Sequence, residues 1–75
     1  MTPAWSRRRE GGLAWQLDQG RSLEVYFRNT GWCVRLKERS EVVKMSWPFS
    51  HCIDAQAKAE SLAVELGWLS ELPRR

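Results

Sequence analysis

The side chains in this 75-residue chain with any capacity for chemistry are one histidine, two cysteines, nine carboxylates and twelve lysines and arginines. His51 and Cys52 are adjacent and Cys33 lies well before them, which raises zinc binding and thiol catalysis as first candidates. A closed zinc site takes four ligands at spaced positions, and no second ligand pair accompanies these three residues. A nucleophilic cysteine needs a base within hydrogen-bond reach and a third group to orient that base. The chain supplies no such set, no glycine-rich phosphate loop and no paired carboxylates. The expectation is therefore a non-enzymatic protein with no metal and no cofactor. His51 is read as half-buried, and Cys33 and Cys52 as small, reduced apolar thiols.

That leaves the cations. The net charge of +3 is unevenly spread: Arg7, Arg8, Arg9 and Glu10 bring the first eleven residues to +2, and Glu71, Arg74 and Arg75 bring the end to +1. The body between them balances seven positive residues against seven negative ones. A basic tail on a neutral body is the footprint of nucleic-acid contact, or a device for solubility. Which of these applies depends on whether the body's own cations share a surface, and that is decided by the elements that carry them.

From Leu13 to Trp47 the chain alternates apolar and polar residues with the period of a strand. Leu13, Trp15 and Leu17 share one face, then Leu23, Val25 and Phe27, then Trp32, Val34 and Leu36, then Val43, Met45 and Trp47. Asp18-Gln19-Gly20 and Asn29-Thr30-Gly31 separate the first three runs with one turn signal used twice. Such loops place a left-handed glycine third, where other residues pay a steric cost. Glu38 to Glu41 forms a polar turn, and Pro48 is expected to end the last strand because it has no N–H to donate.

After Cys52 the period changes. Ala55, Ala59, Leu62, Leu66 and Leu69 recur at helical steps, Ser50 or Asp54 is placed to cap the start, and Gly67 to end it. Asp54, Glu60 and Glu65 fall on the helix's outer side. The pattern predicts an α+β domain, a four-stranded antiparallel meander (β-β-β-β-α) with one C-terminal helix packed on one face. Its bounds are residues 13–72, with 1–12 as a disordered basic arm and 73–75 as a tail. Five tryptophans in so short a chain are read mostly as core. No apolar run follows the tail arginines, so no signal peptide is expected. No run approaches the roughly 18 apolar residues of a membrane span, and a cytoplasmic protein with no membrane partner follows.

In this register the face away from the helix collects Glu24, Tyr26, Arg28, Cys33, Arg35, Lys37, Val42, Lys44 and Ser46. Arg28, Arg35, Lys37 and Lys44 would contact phosphates and Tyr26 would stack, with Arg7, Arg8 and Arg9 adding tail contacts. A solvated face that discourages edge pairing has the same composition.

Gly31, Trp32, Val34, Leu36, Val43, Phe49, Ala55, Ala59 and Leu62 outline a further pattern: a strand opening Gly-Trp, a short second strand, an aromatic near its end and an alanine-rich helix. It resembles the plant AP2 and phage-integrase arm-binding type of DNA-binding domain. The resemblance implies a three-stranded sheet in the major groove, with Arg28, Arg35, Lys37 and Lys44 as the matching outward residues. The strand at Leu13 to Leu17 is extra to that pattern. The same element order is similar to the N-terminal half of HicB-type antitoxins, which bind a protein. Both kinds occur on mobile elements, so a phage or plasmid origin is implied by analogy. The favoured partner is DNA or RNA, and the alternative is a protein-interaction module such as an inhibitor or antitoxin.

Overall fold

A computed structural model describes residues 5–72. It is an α+β fold of five strands in one open antiparallel sheet, followed by one helix. The strands are β1 (Ser6–Arg7), β2 (Leu13–Gln16), β3 (Arg21–Arg28), β4 (Gly31–Glu38) and β5 (Glu41–Phe49), and they lie in the sheet in chain order. The helix α1 (Cys52–Glu65) packs across one face. The meander and the lid match expectation, but the sheet has one strand more than the four expected.

The additional strand comes from the arm. Ser6 pairs with Ala14 and Arg7 with Leu13. The Trp5 ring meets Trp15 edge-on at 5.9 Å, and its indole N–H donates to Glu60 Oε2 at 2.9 Å. A large ring with a polar handle can settle against the core edge and still satisfy its N–H. Gly12 allows the chain to fold back, since a Cβ there would stand 2.1 Å from the Val25 carbonyl oxygen and φ is +83°. Residues 5–12 are thus built into the fold. The first four residues of the expected arm and the tail 73–75 lie outside the described residues.

The core is where alternation placed it on the two central strands. Leu23, Val25, Val34 and Leu36 meet Ala55, Ala59, Leu62 and Ala63, all buried. Three alanines on the contact stripe keep the helix backbone near the sheet, and aromatics fill the wider rim. Trp5, Trp15, Trp32 and Trp68 pack there with Leu13, Leu17, Phe49 and Leu69. Phe27, expected in the core, is 57% exposed at the sheet end, with its ring edge-on to Trp32 at 5.5 Å. Leu66, also expected on the buried stripe, is the exposed C-cap residue. The helix end closes as expected: Gly67 takes φ +78°, its N–H reaches the Val64 carbonyl, and the Trp68 N–H reaches Ala63. His51 is the N-cap and makes no side-chain cap bond, so neither Ser50 nor Asp54 holds that position.

The turns divide by chemistry. In the loop 18–20, Gln19 and Gly20 both take positive φ. In the loop after β3 the left-handed residue is Asn29, while Gly31 is extended within β4. Gly31 serves a different need there, since an added Cβ would come within 2.8 Å of the Pro48 ring.

The largest departure is in β5. Val34 pairs with Ser46, Leu36 with Lys44 and Lys37 with Val42. The step between Leu36 and Lys37 is a bulge that inserts Val43. Without it, Val43 would oppose Leu36, and Met45 and Trp47 would follow it inward as expected. One extra residue inverts the strand's faces. Lys44 and Ser46 therefore stand on the helix side, and Met45 stands opposite Arg35 on the outer side. A second irregularity, between Trp32 and Val34, restores the register so that Phe49 opposes Trp32 and packs on the core. Pro48 lies within that irregularity and does not end the strand.

Candidate nucleic-acid interface

Opposed residues of an antiparallel pair project to the same side, so the registers define the face away from α1. It carries Ala14 and Gln16 from β2, Ser22, Glu24, Tyr26 and Arg28 from β3, Cys33, Arg35 and Lys37 from β4, and Val42 and Met45 from β5. Of the cations expected here, Arg28, Arg35 and Lys37 are present. Lys44 is not, because the bulge turns it to the helix side, where it opposes Leu36 and remains exposed.

The cations that share this face differ in freedom. Glu24, 8% exposed, accepts a hydrogen bond from Arg35 Nε and lies 3.8 Å from Lys37 Nζ. Burial alone lowers the pKa of the Arg35 guanidinium, but the hydrogen bond and charge of Glu24, with a smaller contribution from Tyr26, outweigh it and the net shift is upward. Arg35 also lies over the Tyr26 ring, 4.8 Å from its centroid, and Arg8 stands 5.9 Å from the same ring. One carboxylate thus offsets part of the positive charge of two cations. Arg28 at the strand end is exposed and has no ion-pair partner among the described residues.

The tail arginines do not act as a block. Arg8 turns to the outer face and pairs with Glu10 at 3.3 Å. Arg7 opposes Leu13, whose own partner is Val25, and so belongs to the helix side. Arg7, Arg8 and Arg9 still border one shallow hollow with Leu13, Trp32 and Cys52, although the Arg8 guanidinium reaches the Tyr26 ring.

Beside Arg28 the outer face forms an open groove of about 610 Å³, lined by Tyr26, Arg28, Asn29, Cys33, Met45, Trp47 and Pro48 among others. Trp47, expected inside, is 62% exposed here. It is the residue that strand alternation misses, because the bulge that exposes it leaves no mark between Val42 and Trp47. The floor is tightly made, with Cys33 8% exposed although no second layer covers it. The groove therefore joins an indole, a phenol flanked by guanidiniums and an unpaired arginine, a set able to stack on planar rings and hold an anion.

The opposite side is less acidic than expected. Glu60, placed by helical spacing on the outer helix side, is 1% exposed and accepts the Trp5 N–H. Burial pushes the Cys52 thiol pKa up, and its sulfur lies 3.7 Å from Gln56 Oε1. Among the described residues no cluster of three His, Cys, Asp or Glu side chains is placed to hold a metal ion, and no helix is long and apolar enough to cross a membrane. No known protein family matches the chain, and no curated protein or solved structure matches it significantly.

Proposed function

We propose that this protein is a small non-enzymatic nucleic-acid-binding module, and that the outer sheet face takes single-stranded DNA or RNA. The observation that carries this reading is the exposed Trp47 ring sharing a groove with Tyr26 and the unpaired Arg28. An indole at the surface suits an unstacked base, since every base has a π-face. Arg28 supplies a phosphate contact on the same side, and Arg8, Arg35 and Lys37 form a reserve held back by Glu10 and Glu24. The AP2-like resemblance points to nucleic acid as well. The second reading is a protein-interaction module, and its specific support is the exposed apolar strand β5.

Fluorescence anisotropy with a labelled single strand at about 50 and 200 mM salt tests the proposal. Trp47→Ala should cost about 1–3 kcal/mol for a stacked base. Arg28→Ala should weaken all sequences alike and flatten the log–log salt slope by about 0.7, the share of one phosphate on a single strand. Glu24→Gln should act in the opposite direction, tightening binding and steepening the slope as Arg35 and Lys37 are released. Duplex binding that ignores Trp47→Ala would move the reading to the major groove. Absence of binding to any single strand or duplex at low salt would leave the interaction module in its place.

A further inference from the structure

β5 is a sheet edge with an unusual composition for that position. Among the described residues its only hydrogen-bonded neighbour is β4, so the other side of the strand presents backbone N–H and C=O groups to solvent. Val42, Val43, Met45 and Trp47 are between 43% and 62% exposed. Long edges in stable monomers are blunted by charges, proline or bulges. Here Pro48 and the two bulges fall toward the ends and leave Lys44–Ser46 as a regular stretch between them. Lys44 is the one cation on the strand.

We infer that β5 pairs antiparallel with β5 of a second copy of this chain, in a register centred on Met45. Two antiparallel neighbours in one sheet are related by a two-fold axis normal to that sheet. Such an axis keeps each residue on its own face, so a residue can oppose only itself or one an even number of places away. Among these registers, centring on Lys44 sets two ammonium groups against each other, which is unfavourable for directly opposed residues. Centring on Val43 places the axis in the bulge. Centring on Met45 opposes Met45 to Met45, Lys44 to Ser46 and Val43 to Trp47, with no like charges facing. The regular stretch is itself symmetric about Met45. The occupant that fits is thus a second copy: in this register both charged residues of the strand, Lys44 and Glu41, face uncharged partners, Ser46 and Phe49, and the exposed apolar side chains face one another.

The same symmetry has a geometric consequence. Both helices lie on one side of the joined sheet and both outer faces lie on the other, so the two grooves share a continuous surface. The pairing bonds the backbone edges and brings Met45 and Trp47, which line each groove, beside the seam between the two copies. It holds whatever those faces bind.

Sedimentation equilibrium of the full chain should give twice the chain mass, and Met45→Lys, which opposes two lysines, should return it to one. Ile53→Lys, on an exposed part of α1, should keep the dimer. A cysteine scan fixes the register by mild oxidation of Val43→Cys, Met45→Cys and Ser46→Cys, with the wild-type chain and its own Cys33 and Cys52 as control. A two-fold pair joins only self-opposed positions efficiently, so the covalent dimer should peak at 45. A single-chain mass for the wild type at high concentration would overturn the proposal. So would a dimer that survives Met45→Lys or is lost with Ile53→Lys. A cross-link maximum at 43 or 46 would overturn the register.

Discussion

At Glu24 the charge counted along the strand and the charge that solvent meets part company. Alternation shows three cations and one carboxylate crossing the outer face of β3 and β4, yet the carboxylate lies against two of those cations. Spacing along a strand says which face a charge shares and nothing about its lateral partner. Cys52 belongs to the same scale. Burial raises its pKa, and the thiolate is the reacting species, so the folded chain holds less thiolate at neutral pH than the unfolded chain. Iodoacetamide should alkylate Cys52 more slowly in the native protein than in urea, and the gap should narrow as pH rises through the folded value. The sign carries over to stability: folding disfavours this thiolate, so the contribution turns unfavourable once pH passes the ordinary thiol range. Equal native and unfolded rates at neutral pH, followed by mass spectrometry, would remove the burial argument.

At the scale of elements, helix and central strands support each other, because neither can bury its apolar stripe alone. Leu62, 7% exposed, is the largest α1 side chain in the core cluster. Its neighbours on the stripe are alanines, so nothing nearby can swing in to fill the space. Leu62→Ala should cost about 2–5 kcal/mol, a large part of what a domain this small holds in total. A thermal melt that barely moves would take Leu62 out of the core. The β5 edge behaves differently. Its side chains are mostly exposed, so the core does not discriminate between registers as strongly there, and a bulge is tolerated.

For the whole molecule, the arm is the telling feature. A disordered arm over residues 1–12 would be removable without cost to the body. The structure predicts otherwise, since β1, the Trp5–Trp15 contact and the Trp5 bond to Glu60 all come from that stretch. A hydrogen bond to a charged group contributes about 1.5–3 kcal/mol, and the lost ring burial adds to it. The truncated chain should therefore melt measurably lower and expose Trp15 to quenchers. An unchanged melt would show that residues 5–11 are ornament to the fold.

What the sequence determined by itself is whatever repeats locally: a meander followed by a helix, the apolar layer on β3, β4 and α1, and the glycine that ends the helix. Period two and period 3.6 are read residue by residue, and a buried face enforces them. Arg28, Arg35, Lys37 and Tyr26 fell on the outer face for that reason. The rest depends on contacts between elements far apart in the chain. The bulge at Val43 moved Lys44 away and brought Met45 and Trp47 out, because one inserted residue reverses parity downstream without changing composition. Trp5 and Glu60 meet across fifty-five residues, and neither residue's surroundings in the chain announce the other. A ring and a carboxylate so far apart become partners only when the sheet has closed and α1 lies across it.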